Sequence, residues 1–243
     1  KEIGEFFSAV DITILEGYGL TETSPVLSVN SPPYDIKFGT VGKPLFNVEI
    51  KIADDGEILA KGPNIMTGYY NNEEATKEVF DQEGWFKTGD IGKIDDDGFL
   101  VITDRKKSLI VTSGGKNIAP VELEDLIKPH PLVGQICMVG DGQKFLSALI
   151  VLDREGTSEK WASDNSVEYD IDNFHNNPEV VKAIQSQIDE ANSKVANVQQ
   201  IKKFTILEEE WTDTSGELTP TLKLKRNVIN EKYKDKIDAM YKG

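Results

Sequence analysis

The sequence is poor in residues that define several common classes of protein. Its one cysteine, Cys137, cannot form an internal disulfide, and its apolar neighbours indicate a small buried side chain. The two histidines have no cysteine or histidine neighbour, which argues against a zinc site. No apolar run approaches the roughly 18 residues that a membrane-spanning helix needs. We therefore expect a soluble, cytoplasmic protein without a transmembrane segment.

Two catalytic motifs are also missing. No Gly-x-Ser-x-Gly elbow is present, so a Ser-His-Asp hydrolase is unsupported. The loop Ser113–Lys116 superficially matches a phosphate-binding loop. It lacks the first glycine of that motif, however, and Asn117 stands where serine or threonine is required. A nucleoside triphosphatase of the P-loop class is therefore excluded.

Acidic residues outnumber basic ones by 42 to 27, which gives a net charge of −15. This balance argues against nucleic acid as a partner, because a phosphate backbone needs a basic face. Basic residues still cluster locally, around Arg105–Lys107 with Lys116 and around Lys223–Arg226, which suits a small phosphate-bearing ligand. The chain begins at Lys1 without an initiator methionine. We expect it to be the C-terminal part of a larger protein.

The first hundred residues have the pattern of short strands. Val48–Ile52 alternates apolar and polar residues, as a half-buried strand does, and Asp-Gly pairs at 55–56 and 97–98 are typical of hairpin turns. A short helix capped by Asn72 interrupts them. This pattern predicts a small distorted β-barrel or β-rich subdomain.

After Lys107 the pattern changes to mixed helices and strands. Pro120 is expected at the first turn of a helix, and a long amphipathic helix follows Pro178. Its apolar stripe is predicted at Val181, Ile184, Ile188, Ala191, Val195 and Val198. The predicted fold class is α+β, and the other elements are strands at 109–111, 134–139, 145–152 and 204–207 and a final helix from 225 to about 240.

The turn Thr88-Gly89-Asp90 and the following Arg105 form the first candidate site. An aspartate held rigidly after a glycine is a good acceptor for a vicinal diol such as the ribose 2′,3′-hydroxyls. An arginine can bind the same sugar, or a phosphate, through its planar fork. Thr-Gly-Asp alone is more often an ordinary β-turn, so the pair carries more weight than either part.

The segment Gly17–Thr23 forms the second candidate site. Glycines flank Tyr18, so a flat base can stack on its exposed ring. Thr21 offers a hydroxyl to a phosphate, and Glu22 offers an oxygen ligand to Mg²⁺, which commonly takes only one or two carboxylates besides phosphates. The alternative interpretation is an ordinary hairpin turn.

The third candidate is Lys223, which lies between a turn and a predicted basic helix. This location suits a mobile cation that is delivered to a developing negative charge. A solvated surface lysine is the alternative interpretation.

In this order and at these separations, the segments resemble the adenylate-forming acyl-CoA synthetase superfamily. The resemblance covers essentially the whole chain. It is greatest to the long-chain fatty acid CoA ligases, whose lysine segment reads Thr-Pro-Thr-Leu-Lys. The matching segments are Gly17–Thr23, Gly62–Tyr70, Thr88–Asp90, Asp104–Lys107, Ser113–Pro120 and Leu218–Arg226.

The resemblance implies a two-step reaction and a division of the chain. A fatty acid and Mg-ATP give acyl-adenylate and pyrophosphate, and coenzyme A then displaces AMP to form the thioester. Residues 1–103 would be the β-rich C-terminal part of the large adenylation domain, 104–107 the hinge, and 108–243 the small, mobile α+β lid domain. The implied ligands are ATP, Mg²⁺, coenzyme A and a fatty acid.

The resemblance also assigns roles to residues of the first region. Tyr18 would stack on adenine beside Gly19, and Thr21 would contact a phosphate. Glu22 would bind Mg²⁺. Asp90 would hold the ribose hydroxyls, with Arg105 on the ribose or phosphate side.

In the second region, Lys223 would bridge the substrate carboxylate and the α-phosphate, and Lys107 would be the hinge residue. Gly114 and Gly115 would enter the site in the second step and leave room for pantetheine. Lys116 would meet a phosphate of coenzyme A or the adenylate, although a solvated lysine is an equal alternative.

The chain departs from the superfamily pattern in several places. Leu222 replaces a glycine that often precedes the lysine, and Val111 stands where some members carry a second-step lysine. The loop that grips the ATP phosphates and the acyl tunnel are absent, so we expect the chain alone to be inactive. We also expect the missing N-terminal part of the enzyme to be a partner. Peripheral membrane association through that missing part stays open.

Two other functions remain open at this point. An acyl-AMP ligase that loads a carrier protein often has an insertion near the base of the small domain, for which the distance from Arg105 to Pro120 leaves no room. A non-catalytic module is disfavoured because Glu22, Asp90, Arg105 and Lys223 are all retained.

Overall fold

The computed structural model describes residues 2–31, 36–154 and 156–242. The chain divides into two compact units, residues 1–107 and 108–243. Over the described ranges, no helix has the length and apolar character required to cross a bilayer.

In the part of unit 1 that the structure describes, there are two antiparallel sheets and two short α-helices. The first sheet has the order β1-β2-β3 and the second the order β4-β5-β6-β7. The elements of this unit are α1 (Glu2–Ser8), β1 (Gly17–Tyr18), β2 (Ser28–Val29), β3 (Lys43–Pro44), β4 (Glu49–Ile52), β5 (Glu57–Lys61), α2 (Glu73–Glu78), β6 (Phe86–Ile94) and β7 (Leu100–Arg105).

Local sequence signals account for much of unit 1. Gly56 and Gly98 have φ angles of 86° and 83°, and their Asp-Gly turns join β4 to β5 and β6 to β7, as predicted. The side chain of Asn72 accepts a hydrogen bond of 3.1 Å from the Ala75 N–H, which confirms the predicted helix cap. The first two residues of the predicted 104–107 hinge belong to β7.

Unit 2 is built around a three-stranded sheet of order β10-β11-β12, in which β10 and β11 are antiparallel and β11 and β12 are parallel. A separate two-stranded hairpin precedes it. The elements are β8 (Ile110–Val111), β9 (Asn117–Ile118), α3 (Pro120–Ile127), β10 (Val133–Val139), β11 (Leu146–Leu152), α4 (Thr157–Asp164), α5 (Pro178–Ser193), β12 (Ile201–Leu207), α6 (Arg226–Lys232) and α7 (Lys234–Tyr241).

Strand β11 is buried at every position because helices cover both faces of this sheet. Alternate side chains of β10 point to opposite faces of the sheet and pack in different cores. Ile136 and Met138 pack in the core with α3 and α5, whereas Cys137 and Val139 pack in the core with α6 and α7. A strand covered on both faces reads as a near-continuous apolar run, and β11 is apolar at every position except Ser147. The predicted α+β class is confirmed.

Two predicted helices differ in detail. The buried stripe of α5 contains Val180, whereas Val181 is 37% exposed, and the helix ends at Ser193, before Val195 and Val198. The single helix predicted over 225–240 is two helices, α6 and α7. Tyr233 breaks it with a ψ of 20°, and its buried ring packs near Trp211. Helix α4 was not predicted, because its sequence has no long apolar stripe.

Candidate active site

Thr88, Gly89 and Asp90 do not form the predicted turn but lie within β6, beside an irregularity in its pairing with β5. Gly89 has a φ of 73°, a conformation that favours glycine, and its N–H donates to Glu57 Oε1 at 3.0 Å. The Thr88 hydroxyl donates to the Ile58 carbonyl at 2.8 Å and accepts from the Asp90 N–H at 3.2 Å. These hydrogen bonds fix the backbone from which the Asp90 carboxylate projects.

The structure brings Tyr18, Asp90 and Arg105 together. The Tyr18 hydroxyl donates to Asp90 Oδ2 at 2.6 Å, and Arg105 Nε lies 3.5 Å from Asp90 Oδ1. Asp90 and Arg105 are cross-strand partners in β6 and β7. Burial raises the pKa of Tyr18 above its usual value of 10.0, and the hydrogen bond to Asp90 raises it further, so the hydroxyl stays protonated as a donor.

Gly19 is required by a close approach of the backbone. A Cβ atom at this position would lie only 1.6 Å from the Pro25 carbonyl oxygen. The loop then makes a single 3-10 turn over Thr21–Thr23, in which the buried Thr23 hydroxyl accepts from the Leu20 N–H at 2.9 Å. The tight loop leaves the Thr21 side chain exposed, where it is accessible to a ligand.

Glu22 has a partner that the sequence did not reveal. The Tyr69 hydroxyl donates to Glu22 Oε1 at 2.9 Å, which orients the carboxylate. Burial and this hydrogen bond raise the pKa of Tyr69. Among the described residues no group of three or more His, Cys, Asp and Glu side chains could hold a metal ion. A single carboxylate such as that of Glu22 suits a magnesium ion that takes most of its ligands from phosphates and water.

The segment Gly62–Tyr70 braces the loop that carries Glu22. The Asn64 side chain donates to the Thr23 carbonyl at 2.9 Å, and the Met66 N–H donates to the Glu22 carbonyl at 2.8 Å. The segment thus donates hydrogen bonds to two backbone carbonyls of the loop. The segment contributed to the resemblance, but no residue in it had been given a role.

Lys106 and Gly89 both bind the Glu57 carboxylate. Its Nζ lies 2.6 Å from Asp55 Oδ2 and 2.8 Å from Glu57 Oε2, and hydrogen bonds to these two carboxylates raise the pKa of Lys106. Glu57 is 5% exposed and also accepts from Gly89. Lys107 is exposed and is the last residue of unit 1. Its hinge role stays a prediction.

In unit 2, the predicted second-step loop connects β8 and β9. The Gly115 N–H donates to the Thr112 carbonyl at 2.8 Å, and Gly115 has a φ of 72°. A Cβ atom at Gly114 would meet only Thr112 Oγ1, at 3.9 Å, so packing does not demand glycine there. Gly114, Gly115 and Lys116 are all exposed.

Lys223 lies on a tight hairpin in unit 2. Leu218 and Leu224 form an antiparallel bridge, and the Lys223 N–H donates to Thr219 Oγ1 at 3.0 Å. The preceding Leu222 has a φ of 58°, a left-handed conformation that glycine adopts at no steric cost. Lys223 itself is exposed, as a side chain must be to reach a ligand.

Comparison with known proteins supplies a family for both units. The family model described as AMP-binding enzyme C-terminal domain matches residues 107–243, and the one described as AMP-binding enzyme matches residues 1–70. Long-chain-fatty-acid–CoA ligase FadD15 of Mycobacterium bovis is 46% identical over 241 residues, which are 98% of this chain and 40% of that protein. Long-chain-fatty-acid–CoA ligase ACSBG2 of Xenopus laevis is 36% identical over 264 residues, which cover 99% of this chain and 36% of that protein.

Solved structures give the same answer for the fold. O-succinylbenzoate coenzyme A synthetase (MenE) of Bacillus subtilis, in complex with AMP, has a TM-score of 0.67 at 31% identity over 93% of this chain and 42% of that one. The A domain of carboxylic acid reductase from Segniliparus rugosus has a TM-score of 0.72 at 23% identity, over 99% and 37% of the two chains, and shows the fold alone.

The chain spans about 40% of the length of the curated relatives it matches. One family model nevertheless covers residues 107–243, more than half of the chain, and a second begins at its N-terminus. The matched regions contain Tyr18, Glu22 and Lys223, three of the residues on which the resemblance rests. The chain belongs to the AMP-binding enzymes, the adenylate-forming superfamily.

Proposed function

We propose that the protein containing this chain is an ATP-dependent long-chain fatty acid–CoA ligase. It would convert a fatty acid and ATP to acyl-adenylate and pyrophosphate, and then acyl-adenylate and coenzyme A to acyl-CoA and AMP. The observation that carries the proposal is the hydrogen-bonded set of Tyr18, Asp90 and Arg105, which offers one acceptor, one aromatic ring and one cation to a nucleotide. The names of the relatives support the acyl substrate.

Asp90 has the capacity to bind a ribose while it holds Tyr18. A carboxylate has about four lone-pair positions, and the tyrosine hydroxyl uses one of them. The Arg105 side chain is 76% exposed, so its remaining donors are accessible to the ribose or a phosphate. The ring of Tyr18 would stack on adenine, with its position set by the hydroxyl at the other end and by Gly19 in the backbone.

Glu22 and Thr21 would act on the phosphate side. When bound, Mg²⁺ would neutralise phosphate charge and orient the triphosphate. Tyr69 donates to one oxygen of Glu22, which leaves the other oxygen to serve as a ligand. The exposed hydroxyl of Thr21 would contact a phosphate oxygen.

Lys223 would stabilise negative charge in the first step, between the fatty acid carboxylate and the α-phosphate. Gly114 and Gly115 would serve the second step, where the open space at Gly114 allows a pantetheine chain to approach. Lys116 would meet a phosphate there. Lys107 would allow the small domain, residues 108–243, to change position between the steps.

The proposal extends to the setting of the enzyme. Fatty acid, ATP and coenzyme A would be its substrates, and the remainder of the same enzyme would supply the acyl tunnel and the loop around the ATP phosphates. The 243-residue chain alone would then be inactive. We place the enzyme in the cytoplasm, where residues outside this chain could attach it to a membrane surface.

The test is fatty acid-dependent ATP–pyrophosphate exchange by the full-length protein. Exchange should peak at a long acyl chain and fall by about 100- to 1,000-fold in Lys223→Ala, the loss expected for one preorganised contact. Lys236→Ala on the exposed face of α7 is the matched control and should keep full exchange. No exchange with any fatty acid would refute the proposal. If the protein catalysed exchange and acylated a carrier protein but formed no acyl-CoA, the carrier protein would replace coenzyme A as the proposed acceptor.

A further inference from the structure

Residues Leu218–Leu224 form the hairpin that presents Lys223, and the buried carboxylate of Glu217 anchors its N-terminal end. The Glu217 side chain is 0% exposed and accepts a hydrogen bond of 2.6 Å from Lys232 Nζ. The Tyr233 hydroxyl donates to the same oxygen at 3.2 Å. The Glu217 carbonyl accepts from the Lys225 N–H at 2.7 Å, which closes the base of the hairpin.

The buried carboxylate of Glu124 anchors the C-terminal end of the hairpin through Arg226. Arg226 donates through both terminal nitrogens to Glu124, Nη1 to Oε1 at 2.8 Å and Nη2 to Oε2 at 2.6 Å. Glu124 Oε1 also accepts from the Met138 N–H at 2.7 Å. The Glu124 side chain is 7% exposed and that of Arg226 is 19% exposed. The pair therefore links the hairpin to α3 and to the central sheet.

Stability alone is a poor explanation for this pair. The desolvation of two charges largely offsets their attraction, and apolar residues of similar volume often stabilise a core as well. The neighbouring Cys137 thiol lies 3.6 Å from Arg226 Nη1, and burial raises its pKa to about 12, so it stays neutral and does not compete with Glu124 for the guanidinium charge. What a bidentate pair adds is a defined direction, because both groups are planar.

We propose that the Glu124–Arg226 pair is a positioning device that sets where Lys223 is presented during adenylation. The proposal rests on the proposed function of Lys223. Arg226 follows Lys223 by three residues and begins α6, so its pairing with Glu124 fixes the point at which the chain leaves the hairpin. Glu124 lies on α3, which follows the Gly114–Lys116 loop and β9. Helix α3 therefore comes soon after the loop proposed for the second half-reaction and pairs, through Glu124, with Arg226 next to the hairpin of the first.

The decisive variant is Arg226→Lys in the full-length protein, because it keeps the charge and loses the fork. Pyrophosphate exchange should fall about 100-fold, the effect of a displacement of about 1 Å in a reacting group. The formation of acyl-CoA from added acyl-adenylate should be nearly unchanged, since Lys223 has no part in that step. Ile184→Val is the control for lost stability, because it shortens a buried side chain in the core on the other face of the sheet.

A second measurement is independent of activity. The Leu222 N–H donates to the Thr219 carbonyl at 2.8 Å, so its hydrogen exchange reports the order of the hairpin. In Arg226→Lys this exchange should become about tenfold faster or more, as expected for the loss of a hydrogen bond to a charged group. Amides of β11 should keep their rates.

The outcomes separate the inference from the function on which it rests. An equal loss of both half-reactions in Arg226→Lys and Ile184→Val would overturn the positioning role and leave a structural one. Unchanged exchange at Leu222 in Arg226→Lys would also overturn it. If the wild-type protein itself showed no pyrophosphate exchange, the proposed function would fail, while the hydrogen-exchange comparison would still decide whether the pair anchors the hairpin.

Discussion

Asp90 has two partners in very different surroundings, and this contrast gives a quantitative prediction. Tyr18→Phe should destabilise the sheet of β6 and β7 by about 1.5–3 kcal/mol, the value of a hydrogen bond to a charged group. It leaves a carboxylate that is 9% exposed without its donor at 2.6 Å. Arg105→Gln should cost at most about 1 kcal/mol, because the Arg105 side chain is 76% exposed and 3.5 Å from Asp90.

Hydrogen exchange followed by mass spectrometry can separate the two values. Peptides that cover β6 and β7 report the free energy of opening, and each 1.4 kcal/mol is about a tenfold change in exchange rate. Tyr18→Phe should therefore speed exchange about 10- to 150-fold, and Arg105→Gln less than about sixfold. Peptides from β10 and β11, in the other compact unit, serve as the internal control.

The reasoning is wrong if Arg105→Gln speeds exchange as much as Tyr18→Phe does. The charge of the arginine, rather than the buried hydrogen bond, would then stabilise the part of β6 around Asp90. An Asp90→Asn background provides a further check, because Tyr18→Phe should cost less when the acceptor is neutral. AMP affinity should likewise fall more in Tyr18→Phe than in Arg105→Gln. Tyr18→Phe keeps the aromatic ring, so a loss of AMP affinity in that variant measures how well Asp90 is positioned.

Three more predictions concern single positions. Gly19→Ala places a Cβ atom 1.6 Å from the Pro25 carbonyl oxygen and should destabilise the chain by about 1–3 kcal/mol. The expected results are a lower Tm and weaker AMP binding, and an unchanged Tm would contradict the close approach. Leu222→Asn should stabilise by up to about 1 kcal/mol, because asparagine tolerates the φ of 58° and Leu222 is 68% exposed; a lower Tm would argue against strain there. Burial lowers the pKa of His130, whose Nδ1 accepts from the Leu132 N–H, so the unfolded chain gains a proton first as the pH falls. Stability should therefore decline below a pH of about 6.5, and less so in His130→Gln.

Short-range signals made part of this structure predictable. The Asp-Gly pairs specify turns with positive φ, and the Asn72 cap satisfies a free N–H of the next helix, so both follow from adjacent residues. Asp90 and Arg105 could be connected because one hairpin turn between β6 and β7 makes them cross-strand partners. Their proposed roles follow from side-chain chemistry and from the resemblance, whereas their contact is a finding of the structure.

The partners that orient the candidate residues could not be predicted in the same way. Tyr69 and Glu22 are 47 residues apart, and Glu124 and Arg226 are 102 residues apart. Such pairs have no local pattern, because loops and whole secondary-structure elements separate their members. The break at Tyr233 also has no local signal: helix propensity continues through it, while its buried ring lies near Trp211, which is distant in sequence. Tertiary packing, not propensity, determines these features.

Exposure and position impose opposite demands on a residue such as Lys223. It must lie in solvent to meet a substrate, yet an exposed side chain on a free loop samples many places, and a displacement of about 1 Å can cost 100-fold in rate. Glu217 and Glu124 resolve this conflict, because both are buried and each holds one end of the hairpin. Asp90 and Glu22 follow the same logic, with Tyr18 and Tyr69 as their donors. The partners of the candidate residues therefore matter as much to the proposed function as the residues that would touch the ligand, because they determine where those side chains point.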